Sequence, residues 1–135
     1  MGYRFEELQI GMSASYTRCV TESDIADYAR ISGDTNPLHL DERFAARSIF
    51  GSRIAHGLLT ASFISAVIGT RLPGDTAVYL SQSLRFLAPV RIGDEVTAKA
   101  SVTALDAPKR RATLETICTV ADKPVLSGEA LILIP

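Results

Sequence analysis

Apolar residues occupy nearly every position from Gly57 to about Thr70, in the run GLLTASFISAVIGT, and the polar exceptions are small hydroxyls. A helix that is apolar on all sides is expected to be buried on all sides. The run is too short, and too often interrupted by serine and threonine, to span a membrane, so protein must surround it. Leu72-Pro73-Gly74-Asp75 closes it with a turn. Beyond Thr76 the pattern shifts to alternation. Strands are predicted near 77–87, 95–105, 111–121 and 124–134, separated by Pro89…Gly93-Asp94, Asp106-Ala107-Pro108-Lys109 and Asp122-Lys123-Pro124. Val96 to Thr103 alternates most cleanly and reads as part of a half-buried antiparallel meander.

The first half of the chain carries shorter elements. Residues 14–20 are β-compatible, and Thr21 opens a T-x-x-D capping pattern with Asp24 that predicts a helix from about 22 to 31. Ile25, Tyr28, Ala29 and Ile31 would form its buried stripe. A second short helix is predicted from Asp41 through Arg47, with Phe44 and Ala45 facing inward, before Gly51 breaks the pattern. One buried helix, two lesser helices and a long meander imply an α+β architecture, a single domain over residues 1–135 whose antiparallel sheet wraps the central apolar helix. This is the hot-dog arrangement. No linker, repeat or low-complexity tract suggests a second domain.

Charge narrows the partners. Lys+Arg total 14 against 15 Asp+Glu, and no basic stripe interleaves with aromatics, so nucleic acid is not an expected partner. Cys19 and Cys118 lie far apart without a CxxC pair or a histidine cluster, which argues against a zinc site or a disulfide framework; both are expected as buried thiols. Met1 to Glu7 is too polar for a secretory signal, and a cytoplasmic location is the expectation; Glu6 stands where a myristoylation motif wants Ser or Thr. No glycine-rich phosphate loop and no G-x-S-x-G elbow occurs. Lys109-Arg110-Arg111 falls between two predicted strands and reads as a solvated hairpin tip rather than a contact for coenzyme phosphates.

Candidate chemistry concentrates at Asp34-Thr35-Asn36-Pro37-Leu38-His39, which holds one of only two histidines in the chain. Pro37 excludes helix interior and pushes Asn36 into extended geometry. Five residues apart, the two side chains would diverge by about 140° on a helix and take opposite faces on a strand. Only a compact turn lets Asp34 and His39 converge on a single water. The alternative is that Asp34 and Asn36 close an Asx turn and His39 is structural. The second histidine precedes Gly57, where the apolar helix begins. A helix N-terminus offers unbonded amides and a partial positive charge that suit an oxyanion, although Gly57 could instead serve tight packing, with His56 packing or capping. Ser65, eight residues on, must satisfy its hydroxyl through a backbone carbonyl one turn earlier or through Asp34, a bond that would keep the carboxylate ionised.

Ser32 to Asp41, with its D-x-N-P-x-H run, followed by Ile54-Ala55-His56-Gly57-Leu58-Leu59-Thr60-Ala61-Ser62, closely resembles the MaoC-like (R)-specific enoyl-CoA hydratases of the polyhydroxyalkanoate-precursor type. Tyr79 to Phe86 and Pro89 to Val96 agree as well, so the likeness covers nearly the whole chain. The resemblance implies a homodimeric hydratase that adds water to a trans-2-enoyl-CoA to give the (R)-3-hydroxyacyl-CoA, without a metal or other cofactor. It implies that Asp34 and His39 activate the water, that the Gly57 amide receives the thioester oxygen, and that Ser65 is the helix serine near the catalytic acid. A short to medium acyl group is expected, with Ile68 and Ile132 as candidate tunnel residues. On the same scaffold the alternatives are an acyl-CoA thioesterase and a non-catalytic acyl-CoA-binding module.

Overall fold

The apolar run is one helix from Gly57 to Thr70 in the computed structural model, which describes residues 1–135. In chain order the elements are a 3₁₀ turn at Phe5–Glu7, β1 (Ser13–Cys19), α1 (Glu22–Ser32), α2 (Pro37–Leu40), α3 (Glu42–Ala46), α4 (Gly57–Thr70), β2 (Val78–Gln82), β3 (Arg85–Phe86), β4 (Glu95–Asp106), β5 (Arg111–Val120) and β6 (Lys123–Leu133). The six strands form one sheet in the order β1-β4-β5-β6-β2, with β3 also paired to β6, and every pairing is antiparallel.

The sheet curves around α4, which packs on β1, β4, β5 and β6. Alternation along the strands decides which residues meet it. Val96, Ala98, Ala100 and Val102 of β4, Ala112 and Leu114 of β5, and Ala130 and Ile132 of β6 face Phe63, Ile64, Val67 and Ile68 in one continuous core. Ala98, Ala100, Ala112 and Ala130 are fully buried. Their single methyl groups let the helix lie close to the sheet without a void. This is the α+β hot-dog arrangement expected from the sequence.

Capping fixes the helix entries. Thr21 Oγ1 accepts the Asp24 amide at 3.1 Å while Asp24 Oδ2 accepts the Thr21 amide at 3.1 Å, so α1 starts one residue after the capping threonine. Arg18 clamps the same carboxylate at 2.6 Å and holds Asp24 below its usual carboxyl pKa. Gly33 ends α1 at φ 80°, a left-handed cap that any side chain would strain.

Several expectations are corrected. The α4 helix is not buried on every side: Leu58, Ser62, Ser65 and Gly69 form an exposed stripe at spacings of four, three and four residues. Ile31 and Phe44, expected to face inward, are exposed, and so is Cys19, whose strand lies at the sheet edge with no layer over that position. Cys118 is buried as expected. The stretch near 77–87 is two strands, broken at residues 83–84, and the register also shifts within the first of them between Tyr79 and Ser81. At the β4–β5 turn Arg110 pairs with Glu6 at 2.6 Å and donates to Ile134 O at 3.1 Å, which makes part of the basic run a structural tie.

Candidate active site

Asp34, His39 and Gly57 come from three segments that the chain ties together. Asn36 caps α2, with its side chain accepting the Leu38 amide at 3.0 Å, and Pro37 takes the first helical position. His39 therefore sits on a one-turn helix rather than in a bare turn, while Asp34 lies just outside it. The backbone is extended at Asn36, as Pro37 requires, and this half-turn lets the two side chains face one volume. Asp34 is held on both sides of its Cα: its amide donates to Ser32 Oγ at 3.1 Å, and its carbonyl accepts from His56 Nε2 at 2.9 Å. Oδ1 of its carboxylate accepts the Asn36 amide at 3.2 Å.

His39 is 8% exposed, and its Nδ1 lies 2.8 Å from the carbonyl of Ile54. A carbonyl can only accept, so Nδ1 carries the hydrogen and Nε2 presents the lone pair of the neutral ring. Ile54 is placed by its bridge to Arg91 and by the adjacent Ala55 amide, which donates to Val90 O at 2.7 Å. Arg53 adds a strap, donating to His39 O at 2.7 Å and pairing with Glu22 at 2.8 Å. One carboxylate oxygen of Asp34 and one ring nitrogen from each of His39 and His56 lie within 4.8 Å of one another. A water donating both hydrogens at about 2.8 Å to two acceptors sets them roughly 4.5 Å apart, and its lone pair then points outward.

Two imidazoles and a carboxylate could hold a divalent ion by residue type. Here the His39 and His56 rings stack, with centroids 3.8 Å apart and planes inclined by 28°. Lone pairs lie in the ring planes, so the two rings hold theirs in offset, nearly parallel planes, and His56 Nε2 is already engaged by the Asp34 carbonyl. The cluster suits hydrogen bonding better than chelation.

Two cavities meet at this point. One of about 380 Å³ is lined by Tyr28, Ser32, Asp34, His39, His56, Gly57, Leu58 and Phe86. Its neighbour, of about 310 Å³, is apolar and is walled mainly by Phe50, Ile54, Leu87, Pro89, Val90 and Leu126. Gly57 and Phe86 belong to both. As the first residue of α4, Gly57 has no intrahelical acceptor for its amide. A Cβ at this position would lie 2.6 Å from Phe86 Cε1, so only glycine lets the ring approach this closely.

A family model described as MaoC like domain matches residues 6–128. The chain belongs to the MaoC-like domain family. It is 53% identical over 131 residues to an (R)-specific enoyl-CoA hydratase of Rhodospirillum rubrum, covering 97% of this chain and 91% of that protein. It is 54% identical, again over 131 residues, to a 3-hydroxybutyryl-CoA dehydratase of Methylorubrum extorquens, covering 97% and 83% of the two chains. Among solved structures, the (R)-hydratase from Aeromonas caviae involved in PHA biosynthesis superposes with a TM-score of 0.93 at 42% identity, covering 96% of this chain and 99% of that one.

Within this MaoC-like chain the predicted site residues divide. Asp34, His39 and Gly57 line one cavity, whereas Ser65 is exposed, lines neither cavity and makes no hydrogen bond to Asp34. Eight residues at 1.5 Å each put Ser65 about 12 Å along the α4 axis from Gly57. Ile68 and Ile132 are buried in the core and line neither cavity. The residues that sequence reasoning missed are Ser32, Arg53 and Phe86, together with His56 as an anchor of Asp34. His56 carried a usable signal, since it is the second of two histidines and adjoins Gly57. Nothing local marks Phe86.

Proposed function

We propose that this protein catalyses the (R)-specific hydration of trans-2-enoyl-CoA to (R)-3-hydroxyacyl-CoA. The observation that carries the proposal is the Asp34 carboxylate and the unoccupied Nε2 edge of His39 on one cavity, beside the free amide of Gly57 at the start of α4. Both groups accept hydrogen bonds, so a water between them is gripped by its hydrogens and aims its oxygen at C3. As oxygen adds, negative charge moves to the thioester oxygen, where a well-aimed amide lowers the barrier by about 3 kcal/mol. The proton taken from water by the Asp34–His39 pair returns to C2 from the same side, giving syn addition. General base help of this kind is worth roughly 10²–10⁴-fold. Dehydration follows the same path in reverse, which agrees with the dehydratase name of one relative.

The apolar cavity is the proposed seat of a short to medium acyl chain. The proposal extends to a homodimer, supported by the apolar edge of Val78, Tyr79 and Leu80 on β2 and by the uncovered α4 stripe, where a second subunit would also surround Ser65. It extends further to a cytoplasmic location and to polyhydroxyalkanoate precursor supply, in line with the involvement of the A. caviae hydratase in PHA biosynthesis. Crotonyl-CoA decides the matter. Wild-type protein should bleach the enoyl-thioester absorbance without releasing free thiol, and Asp34→Asn should lose most of kcat while remaining folded. Thiol release would indicate a thioesterase instead, and binding without turnover would refute catalysis.

A further inference from the structure

The histidine that the reaction does not use directly holds the other two groups in place. His56 is 2% exposed and donates from Nε2 to the main-chain carbonyl of Asp34 at 2.9 Å, across 22 residues of sequence. One neighbour of its ring is the His39 ring, stacked at 3.8 Å; another is Tyr28, tilted at 4.8 Å. Along the chain it is bonded to Gly57 and provides the N-cap of α4, with its carbonyl accepting the Thr60 amide at 3.3 Å. His56 Nδ1 has no partner and no contact with solvent. A buried ring with one nitrogen unsatisfied is an unfavourable way to fill space, and phenylalanine would fill it without a stranded acceptor.

We infer that His56 is a positioning residue for the hydration, setting the direction of the Asp34 carboxylate through its main chain and fixing the His39 ring by stacking. This rests on the hydratase proposal. The Asp34 carbonyl lies on the backbone beside the reacting carboxylate, and its hydrogen bond limits rotation of that segment. The His39 ring has one bond in its plane, to Ile54 O, and needs a flat neighbour to stop it rocking about that bond. A misplacement of about 1 Å in such a constellation costs up to 10²-fold in rate.

Two substitutions separate the two contacts. His56→Phe keeps a flat ring and removes the donor; His56→Gln keeps an amide donor and removes the stack. Each is expected to lower kcat on crotonyl-CoA by about 10–100-fold with KM within threefold, because the interactions align groups used in the transition state. The chain has only two histidines, so in either variant the sole imidazole NMR signal is that of His39. Loss of ring shielding should move this signal downfield in His56→Gln and leave it near its wild-type position in His56→Phe. Unchanged kcat in both variants, or a His39 signal that does not move in His56→Gln, overturns the inference. If one variant does not fold, the other decides. Wild-type protein inactive on crotonyl-CoA would sink the hydratase proposal, while the NMR comparison would still test the stacking on its own.

Discussion

Replacing Gly57 with alanine tests the approach of Phe86 to the start of α4. The added Cβ would lie 2.6 Å from Cε1, 2.7 Å from Cδ1 and 3.2 Å from Cζ of the Phe86 ring. Carbon atoms in contact settle at about 3.5–4.0 Å, so the ring must retreat by about 1 Å. It can do so, since Phe86 is 55% exposed and sits on a two-residue strand. Folding stability should therefore change by no more than about 1 kcal/mol, partly offset by the better helix propensity of alanine. Activity should suffer more. The displaced ring belongs to both cavities, and the new methyl stands next to the amide proposed to receive the thioester oxygen. We expect kcat/KM on crotonyl-CoA to fall roughly 10²-fold, about 2.7 kcal/mol in transition-state stabilisation, with a melting temperature within a few degrees of wild type. Phe86→Ala in the Gly57→Ala background removes the clash and should recover part of the loss. If the two substitutions reduce kcat/KM additively, or if Gly57→Ala alone is fully active, the steric reasoning fails.

Other predictions concern the scaffold. Gly128→Ala would place a Cβ 1.8 Å from the carbonyl oxygen of Ser83, and backbone cannot swing aside as Phe86 can; urea unfolding should show a loss of at least about 3 kcal/mol, and a loss under 1 kcal/mol would contradict the packing. The β5–β6 turn holds Ala121 at φ 49° and Asp122 at φ 64°, so Ala121→Asn should raise stability by about 0.5–1 kcal/mol in the same assay, because asparagine tolerates the left-handed region better than alanine. Burial pushes the Cys118 thiol up to about 12, whereas Cys19 is exposed. A thiol reagent at neutral pH should accordingly modify one cysteine in the native protein and the second only on denaturation, and rapid reaction of both would count against the burial.

The secondary structure was legible because the local signals agreed with the tertiary fold. The T-x-x-D cap at Thr21, the apolar run from Gly57 to Thr70 and the alternation of Val96 to Thr103 each imposed a period that packing then used. The convergence of Asp34 and His39 was also local, since Pro37 constrains both its own φ and the conformation of Asn36. What composition could not give was exposure. The α4 stripe, Cys19 and Phe44 are uncovered because no other part of this chain reaches them, and periodicity cannot count the layers above a residue.

The chemistry divides in the same way. Six residues around a proline sufficed to bring an acid and an imidazole together, and a glycine at the head of an apolar run marked a helix start with a free amide. The tautomer of His39 depends on Ile54 O, the aim of Asp34 on His56, and the narrow gap at Gly57 on Phe86, from segments 15, 22 and 29 residues away. Such contacts exist only once β3 has paired with β6 and residues 54–55 have met residues 90–91. Torsional preferences act between neighbours and can be read along a chain, whereas a hydrogen bond or a steric limit between distant residues arises only when packing has set their separation.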